Sequence, residues 1–225
     1  MILAVAGGKG GVGKSTLSLN LAAELDAVVV DADLGMADLP GARGPDLHDV
    51  LAGRADPVEA VCESGPVDIL PCGRTLAGAR AGDVTGLVAA VEAVAGAYGR
   101  VVVDCPAGMA ADAGMPLLAA DASLLVASPR TFALADALRT RALARELDAG
   151  LAAVALNRAG KNPPTDQIRS ALGAPVVAVP DDERVARAQR HGIAVRSLAP
   201  GSCPAERFSE LADEVRFREN QSCRS

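Results

Sequence analysis

Residues 7–16 read GGKGGVGKST, and this stretch decides the fold. The apolar run Ile2–Ala6 precedes it, and apolar residues at spacings of three and four follow it over Leu17–Leu25. The run indicates a buried strand, and the spacing is typical of a helix that packs through one face. Because glycines let the chain turn sharply between the two, the sequence predicts a strand, a glycine-rich loop and a helix in that order.

The same alternation continues along the chain. Short runs rich in valine or alanine, each bounded by Gly, Pro or Asp, predict further strands at Ala27–Val30, Val67–Leu70, Val101–Val103, Ser123–Ala127, Ala152–Leu156 and Val176–Val179. Helices are predicted at Val84–Ala97, Leu134–Leu147, Thr165–Leu172, Arg184–His191 and Ala205–Arg218, with Asp83 and Thr165 as candidate caps. Because the strands are apolar throughout, we expect helices on both faces of the sheet. The predicted fold class is α/β: a doubly wound, mostly parallel sheet flanked by helices, as a three-layer, Rossmann-like sandwich.

The composition agrees with one globular domain. The chain has 225 residues, of which 50% are hydrophobic and 22% charged, and this excludes a disordered polymer. A formal net charge of -6 argues against a protein that coats nucleic acid over its whole surface. Five cysteines with no C-x-x-C pair, and no signal peptide, argue against a disulfide framework and favour a cytoplasmic location. We expect a single domain over residues 1–215 and a polar, flexible tail over residues 216–225.

The glycine-rich loop has the chemistry of a phosphate site. From residue 8 to residue 15 it satisfies the P-loop spacing G-x-x-x-x-G-K-[ST]. Glycines bring backbone N–H groups close to phosphate oxygens, and the following helix directs its positive end at them. Lys14 is expected to neutralise β- and γ-phosphate oxygens, Ser15 to place its hydroxyl on Mg²⁺, and Thr16 to contact a more proximal phosphate. The predicted nucleotide-binding residues of the loop are Gly8, Gly10, Gly11, Val12, Gly13, Lys14, Ser15 and Thr16.

The loop also resembles a known family. With Lys9 near its start, it is similar to the deviant Walker A motif of the MinD/ParA superfamily of P-loop ATPases. The resemblance implies that Lys9 reaches across an ATP-sandwiched homodimer and touches the phosphates bound by the partner subunit. The chain has only three lysines, Lys9, Lys14 and Lys161, and two of them fall in this loop. A solvated loop lysine is the alternative interpretation of Lys9.

Two further segments match the family in the same order. Residues 28–39, VVVDADLGMADL, are similar to its switch I segment. There Asp33 matches the residue that positions the attacking water, and Asp31 matches one close to the metal. Residues 101–108, VVVDCPAG, are similar to switch II, in which Asp104 matches the carboxylate that holds Mg²⁺ or its waters, and the D-x-P-A-G form favours MinD-like members. A turn and helix cap is the alternative role for Asp31 and Asp33.

Two weaker matches lie further along the chain. Asn157, at the end of a predicted strand, matches the adenine-reading position of the family, where an amide both donates to and accepts from the purine edge. Pro180 opens a segment similar to the loop and helix that close over the base. A turn-forming role is the alternative for each residue. The resemblance as a whole spans roughly residues 2–215.

The resemblance implies an ATP-driven dimerisation switch that binds ATP and Mg²⁺ and hydrolyses ATP slowly. Its partners would be a second copy of the chain and a regulatory or cargo protein, at a cell-division site, a chromosome or another cargo. Other functions use the same fold: a metallocluster carrier or reductase, an ATP-dependent synthetase, or a scaffold that binds ATP without hydrolysing it. Catalytic roles fall on Lys9, Lys14 and Asp33, and metal contacts on Ser15, Asp31 and Asp104.

Membrane and DNA are the two surfaces on which such proteins work. MinD proteins that cycle on membranes carry a C-terminal amphipathic helix, whereas residues 214–225 contain one phenylalanine and end in polar residues, so membrane binding is not expected. Arg184, Arg187 and Arg190 lie three apart on one predicted helix and would suit DNA phosphates. Because three acidic residues precede them, a solvated face with local ion pairs is the stronger explanation.

Overall fold

Strands and helices alternate along the described residues as far as the last strand, and three helices follow it. The computed structural model describes residues 1–7, 10–34, 39, 44–73, 83–108, 111–129 and 134–222. Its strands are β1 (Ile2–Ala6), β2 (Val28–Asp31), β3 (Ile69–Leu70), β4 (Val101–Asp104), β5 (Ala122–Ala127), β6 (Leu151–Ala159) and β7 (Val176–Pro180). Its helices are α1 (Lys14–Leu25), α2 (Leu47–Leu51), α3 (Leu87–Tyr98), α4 (Ala111–Leu118), α5 (Leu134–Glu146), α6 (Thr165–Leu172), α7 (Glu183–Arg190), α8 (Val195–Leu198) and α9 (Cys203–Ser222), and a 3-10 turn over Val84–Gly86 precedes α3.

The strands form one sheet in the order β3-β2-β4-β1-β5-β6-β7. All neighbouring strands in this described sheet run parallel. β1 lies at its centre, with β4 on one side and β5 on the other. The carboxyl ends of parallel strands share one edge of the sheet, and ligands of doubly wound sheets bind where the strand order reverses. The loop after β1 therefore begins at the position where this fold binds its ligands.

Each face of the sheet has its own apolar layer. Side chains alternate along a strand, so Leu3 and Val5 enter one layer with α1 and α9, where Phe208 is fully buried. Ile2 and Ala4 enter the other layer with α2 and α3. This double burial explains why the strands are apolar at every position, and it confirms the predicted α/β fold class.

The predicted strands and helices are all present, with shifts of a few residues at their ends. The sequence did not predict α2, α4 or α8, which are short, and α4 contains Pro116. Asp83 caps the 3-10 turn, because its side chain accepts a hydrogen bond from the Thr85 N–H at 3.0 Å. The predicted cap at Thr165 is wrong: Thr165 is the first residue of α6, and Pro164 occupies the cap position without a side-chain bond.

The C-terminal segment differs from the expected flexible tail. Residues 216–222 continue helix α9 as far as Ser222. Arg216 donates to the backbone carbonyl of Glu24, and Glu219 pairs with Arg100 at 3.3 Å. These contacts tie the end of α9 to α1 and to the residue before β4, and the division into a domain over residues 1–215 and a tail over residues 216–225 stays a prediction. Cys223, Arg224 and Ser225 lie outside the described residues.

A candidate nucleotide site at the carboxyl edge of the sheet

The loop between β1 and α1 owes its shape to glycine. Gly11 and Gly13 have φ values of 75° and 97°, a left-handed region that side chains disfavour. Gly13 is the N-cap of α1, and its carbonyl accepts the first helical bond from Leu17 N–H at 3.0 Å. The N–H groups at the start of a helix have no partner within the helix, so this end of α1 is suited to an anion.

Lys14 and Asp104 meet at the base of the loop. Both are buried, with exposed fractions of 8% and 1%. Ser18 Oγ donates to Asp104 Oδ1 at 3.2 Å, and the Ser15 side chain also bonds to this carboxylate. Burial raises the Asp104 pKa to about 6, although the Ser15 bond and the Lys14 charge act in the opposite direction. Lys14, which is predicted to bind phosphate, therefore lies in one group with Ser15 and Asp104, two of the predicted Mg²⁺ ligands.

Asp31 lies beside Asp104 on the neighbouring strand. The two residues are register partners of β2 and β4, and Asp31 is 1% exposed. Burial raises the pKa of Asp31 to about 8, with a further contribution from the Asp104 charge. Lys14 supplies one positive charge near Asp104, and a hard divalent cation with oxygen ligands would supply more to this pair of buried carboxyls.

The donor set fits Mg²⁺ better than a fully protein-ligated metal. Among the described residues, no group of three or more His, Cys, Asp or Glu side chains is arranged to hold a metal ion. Mg²⁺ keeps several waters and is bound by one or two carboxylates together with substrate phosphates. Ser15 and Asp104 would hold the ion, and when bound it would neutralise charge on the phosphate oxygens.

Asp33 follows β2 and is half-buried. Its backbone N–H donates to Asp31 Oδ1 at 3.3 Å. Its carboxylate is close enough to help raise the pKa values of both Asp31 and Asp104. The structure therefore brings together the three carboxylates that the sequence predicted from separate segments.

The family comparisons agree with this geometry. A family model described as the CobQ/CobB/MinD/ParA nucleotide binding domain matches residues 3–195. The chain belongs to this family. The match confirms the predicted membership of the MinD/ParA superfamily. The P-loop and the two switch-like segments are the sequence features that predicted it.

Individual relatives place the chain near MinD. It is 33% identical over 230 residues to an ATP-binding protein of Methanocaldococcus jannaschii, covering 96% of this chain and 88% of that protein. It is 28% identical over 241 residues to the septum site-determining protein MinD of Thermotoga maritima, with coverages of 96% and 88%.

Solved structures give the same result. The cell division ATPase MinD of Pyrococcus furiosus superposes with a TM-score of 0.88 at 28% identity, covering 96% of this chain and 98% of that one. MinD of Pyrococcus horikoshii, complexed with Mg-ADP, superposes with a TM-score of 0.87 at 28% identity and coverages of 95% and 95%. The nucleotide-binding family and the Mg-ADP of this relative confirm the prediction of ATP and Mg²⁺ as ligands.

The other predicted site residues lie in the glycine-rich loop and at the end of β7. Gly8 and Lys9 lie outside the described residues, so the role of Lys9 stays a prediction. Gly10 and Gly11 are exposed, and Val12 is buried beneath them. Pro180 is the half-buried last residue of β7, and its contact with the base also stays a prediction.

Asn157 has a contact that the sequence did not predict. It is 4% exposed, and its Nδ2 donates to Val12 O at 2.9 Å while its Oδ1 accepts from Arg158 N–H at 3.0 Å. The amide also packs against Gly13, where any Cβ would overlap it. Asn157 therefore supports the P-loop backbone from β6, and the predicted reading of adenine is a separate, untested role.

Several residues of the site were missed. Ser18 lies three residues after Ser15 on α1, and this helical spacing was the available signal for its bond to Asp104. Gln189 of α7 accepts a hydrogen bond from Thr16 Oγ1 at 2.6 Å, and Cys72 donates to Asp33 O at 3.1 Å. These two contacts join residues far apart in sequence, so no local pattern indicates them.

The three arginines of α7 lie on an exposed face of the helix. Arg184 donates to Asp182 through Nε at 2.9 Å (to Oδ1) and through Nη2 at 2.7 Å (to Oδ2), as expected of a solvated face with local pairs. Arg187 and Arg190 are exposed on the same helix. Within the described ranges, none of the helices combines the length and the apolar character needed to cross a bilayer.

Proposed function

We propose that this chain is a Mg²⁺-dependent ATPase that acts as an ATP-driven dimerisation switch of the MinD type and positions a cellular cargo. One observation carries the proposal: Ser15 bonds to Asp104 beside the buried Lys14 at the end of the P-loop strand, in a chain similar to MinD over 96% of its length. Lys14 would neutralise the β- and γ-phosphates, and Ser15 with Asp104 would hold Mg²⁺. Asp33 would orient the attacking water, because it lies beyond this group at the end of β2.

The dimer supplies the second half of the proposed site. Lys9 would stabilise charge on the phosphates held by the partner subunit. Lys9→Ala is therefore expected to keep nucleotide affinity while ATP hydrolysis is lost, whereas Lys14→Ala is expected to lose nucleotide affinity. Normal turnover of ATP by Lys9→Ala would contradict the role across the dimer.

The solution mass of Asp33→Ala tests the switch. Slowed hydrolysis should trap the closed dimer, so light scattering behind a sizing column should give the 22.7 kDa monomer with ADP and twice that mass with ATP and Mg²⁺. Asp166→Ala is the matched control, because this carboxylate is 90% exposed on α6. It should behave as the unmodified chain does. An unchanged mass of Asp33→Ala in both nucleotides would overturn the sandwich dimer.

An ATP-dependent synthetase is the second candidate function, because the family that matches this chain also includes CobQ and CobB. A synthetase would release ADP only in the presence of a small carboxylate acceptor and without any partner protein. ATP turnover that depends on dimer formation and on no added small molecule would support the switch instead. Sizing and ADP release measured on the same sample therefore separate the two functions.

A further inference from the structure

The backbone of Asp33 is held on both sides by side chains. Its N–H donates to Asp31 Oδ1 at 3.3 Å, and its carbonyl accepts a hydrogen bond from Cys72 Sγ at 3.1 Å. Asp31 and Asp33 belong to one segment, but Cys72 follows β3 at residues 71–73, on the edge of the sheet. The cysteine is thus a tether between the end of β3 and the segment that carries Asp33.

Cys72 is itself fixed by helix α2. The first N–H groups of this helix bond to the chain after β3: Leu47 N–H to Pro71 O at 2.8 Å and His48 N–H to Cys72 O at 3.2 Å. Asp46 caps the same helix by accepting from Asp49 N–H at 3.0 Å. Cys72 is 1% exposed, so its thiol has little freedom to move away from Asp33.

His48 lies behind the thiol. Its Nε2 is 3.7 Å from Cys72 Sγ, and the side chain is 4% exposed. Its Nδ1 is buried without a hydrogen-bond partner among the residues that the structure describes. Nδ1 faces Gly73, because a Cβ placed on Gly73 would lie 2.5 Å from it. The imidazole therefore fills the space between α2 and the chain after β3.

Counting protons fixes the direction of these bonds. Burial raises the pKa of the Cys72 thiol to about 12, and the charges of Asp31, Asp33 and Asp46 act in the same direction. The thiol is therefore neutral and has one proton to donate. When that proton is directed to Asp33 O, the hydrogen between the sulfur and His48 must be on Nε2. The imidazole then donates through Nε2 to the sulfur.

We propose that Cys72, backed by His48, is a positioning residue for ATP hydrolysis: its thiol holds the Asp33 carbonyl so that the Asp33 carboxylate faces the attacking water. This inference rests on the proposed function, in which Asp33 orients that water. It predicts that loss of the thiol slows the chemical step and leaves nucleotide binding intact, since the bonds of the Cys72 thiol go to Asp33 and His48. Small misplacements of an orienting group cost rate far more than affinity.

The test compares Cys72→Ala and Cys72→Ser in the full chain with ATP and Mg²⁺. Cys72→Ala should lower kcat about tenfold, while KM for ATP and the dissociation constant for ADP stay within about twofold. Cys72→Ser should restore kcat to within about threefold, because a hydroxyl can donate the same bond. In an Asp33→Ala background, Cys72→Ala should cause no further loss, because the two residues act as one unit.

Cys62→Ala is the matched control. Cys62 lies in the isolated bridge to Ile69 at the other end of β3, and its sulfur is 3.0 Å from Ser64 Oγ. It should leave kcat unchanged, and thermal unfolding of each variant shows whether it is folded. An unchanged kcat for Cys72→Ala, or a low kcat that Cys72→Ser does not raise, would overturn the positioning role. A large loss of ATP hydrolysis in Asp33→Ala would still support the proposed function. If Asp33→Ala also hydrolysed ATP normally, both proposals would fail.

Discussion

The two halves of the site are built in different ways. On the phosphate side, β1, residues 10–13 and α1 form one continuous segment whose shape comes from glycine backbone and from the buried helix start. On the water side, the position of Asp33 depends on side-chain bonds from residues 31 and 72, and α2 supports the second of these. The first half has no room for an added atom at Gly13, whereas the second depends on particular donors and acceptors. Substitutions should therefore fail differently in the two halves.

The largest effect is expected from Gly13→Ala on the phosphate side. Alanine at this position would have to keep a φ of 97°, and its Cβ would overlap the Asn157 amide. The loop must therefore move. We expect ADP affinity, measured by calorimetry, to fall more than about 100-fold, since a displaced loop no longer presents its N–H groups to the phosphates. Gly96→Ala adds the same methyl group on α3 with no atom within 4 Å, and it should bind ADP normally. Near-normal binding by Gly13→Ala would mean that the loop can adopt a second competent shape.

The carboxylates between the two halves should make stability depend on pH. The pKa of Asp31 is raised from 3.8 to about 8, so the folded state keeps a proton that the unfolded chain has lost. The contribution of Asp31 to stability is complete below pH 3.8 and is lost as the pH rises toward about 8. Without nucleotide or Mg²⁺, the free energy of unfolding in urea should therefore fall by about 2–3 kcal/mol between about pH 6 and 8.

Asp31→Asn provides the comparison for this pH effect. The amide cannot ionise but keeps an oxygen for the Asp33 N–H, so most of the slope should disappear. Adding Mg²⁺ and ATP to the unmodified chain should also reduce the slope, because a bound cation favours the charged carboxylate. If the unfolding free energies of the unmodified chain and of Asp31→Asn changed with pH in parallel, the pH dependence would not come from the buried Asp31 carboxyl.

The same contrast explains what the sequence could predict. Lys14, Ser15 and Asp104 were found because the P-loop has a fixed spacing and because a carboxylate at the end of an apolar strand is a local pattern. The bond from Asn157 to Val12 and the bond from Cys72 to Asp33 join segments 145 and 39 residues apart, so they depend on strand order and side-chain direction. The end of α9 was missed for a similar reason: residues 216–222 have a polar composition, and contacts with Glu24 and Arg100 hold them in the helix.

Gly73→Ala examines the water side, with a smaller expected effect. Gly73 has a φ of 106°, and a Cβ there would lie 2.5 Å from His48 Nδ1 and 2.8 Å from Asp46 Oδ2. Strain of this kind costs about 1–3 kcal/mol, and urea unfolding should show a loss of about 2 kcal/mol. ADP affinity should remain within about twofold, because the atoms nearest to the added Cβ belong to His48 and Asp46. A stability equal to that of Gly96→Ala would show that α2 moves away from the chain after β3 at little cost.

The smallest effect is expected from Asn157→Ala, which removes a support of the phosphate side from outside the loop. Val12 O loses its donor at 2.9 Å, and one unsatisfied buried carbonyl costs about 1 kcal/mol. ADP affinity should then fall about fivefold. We expect GDP affinity to fall by the same factor, because both amide atoms of Asn157 are engaged with backbone groups. A loss confined to ADP would instead show that the amide turns to the adenine ring when nucleotide binds, and it would make Asn157 a base-reading residue.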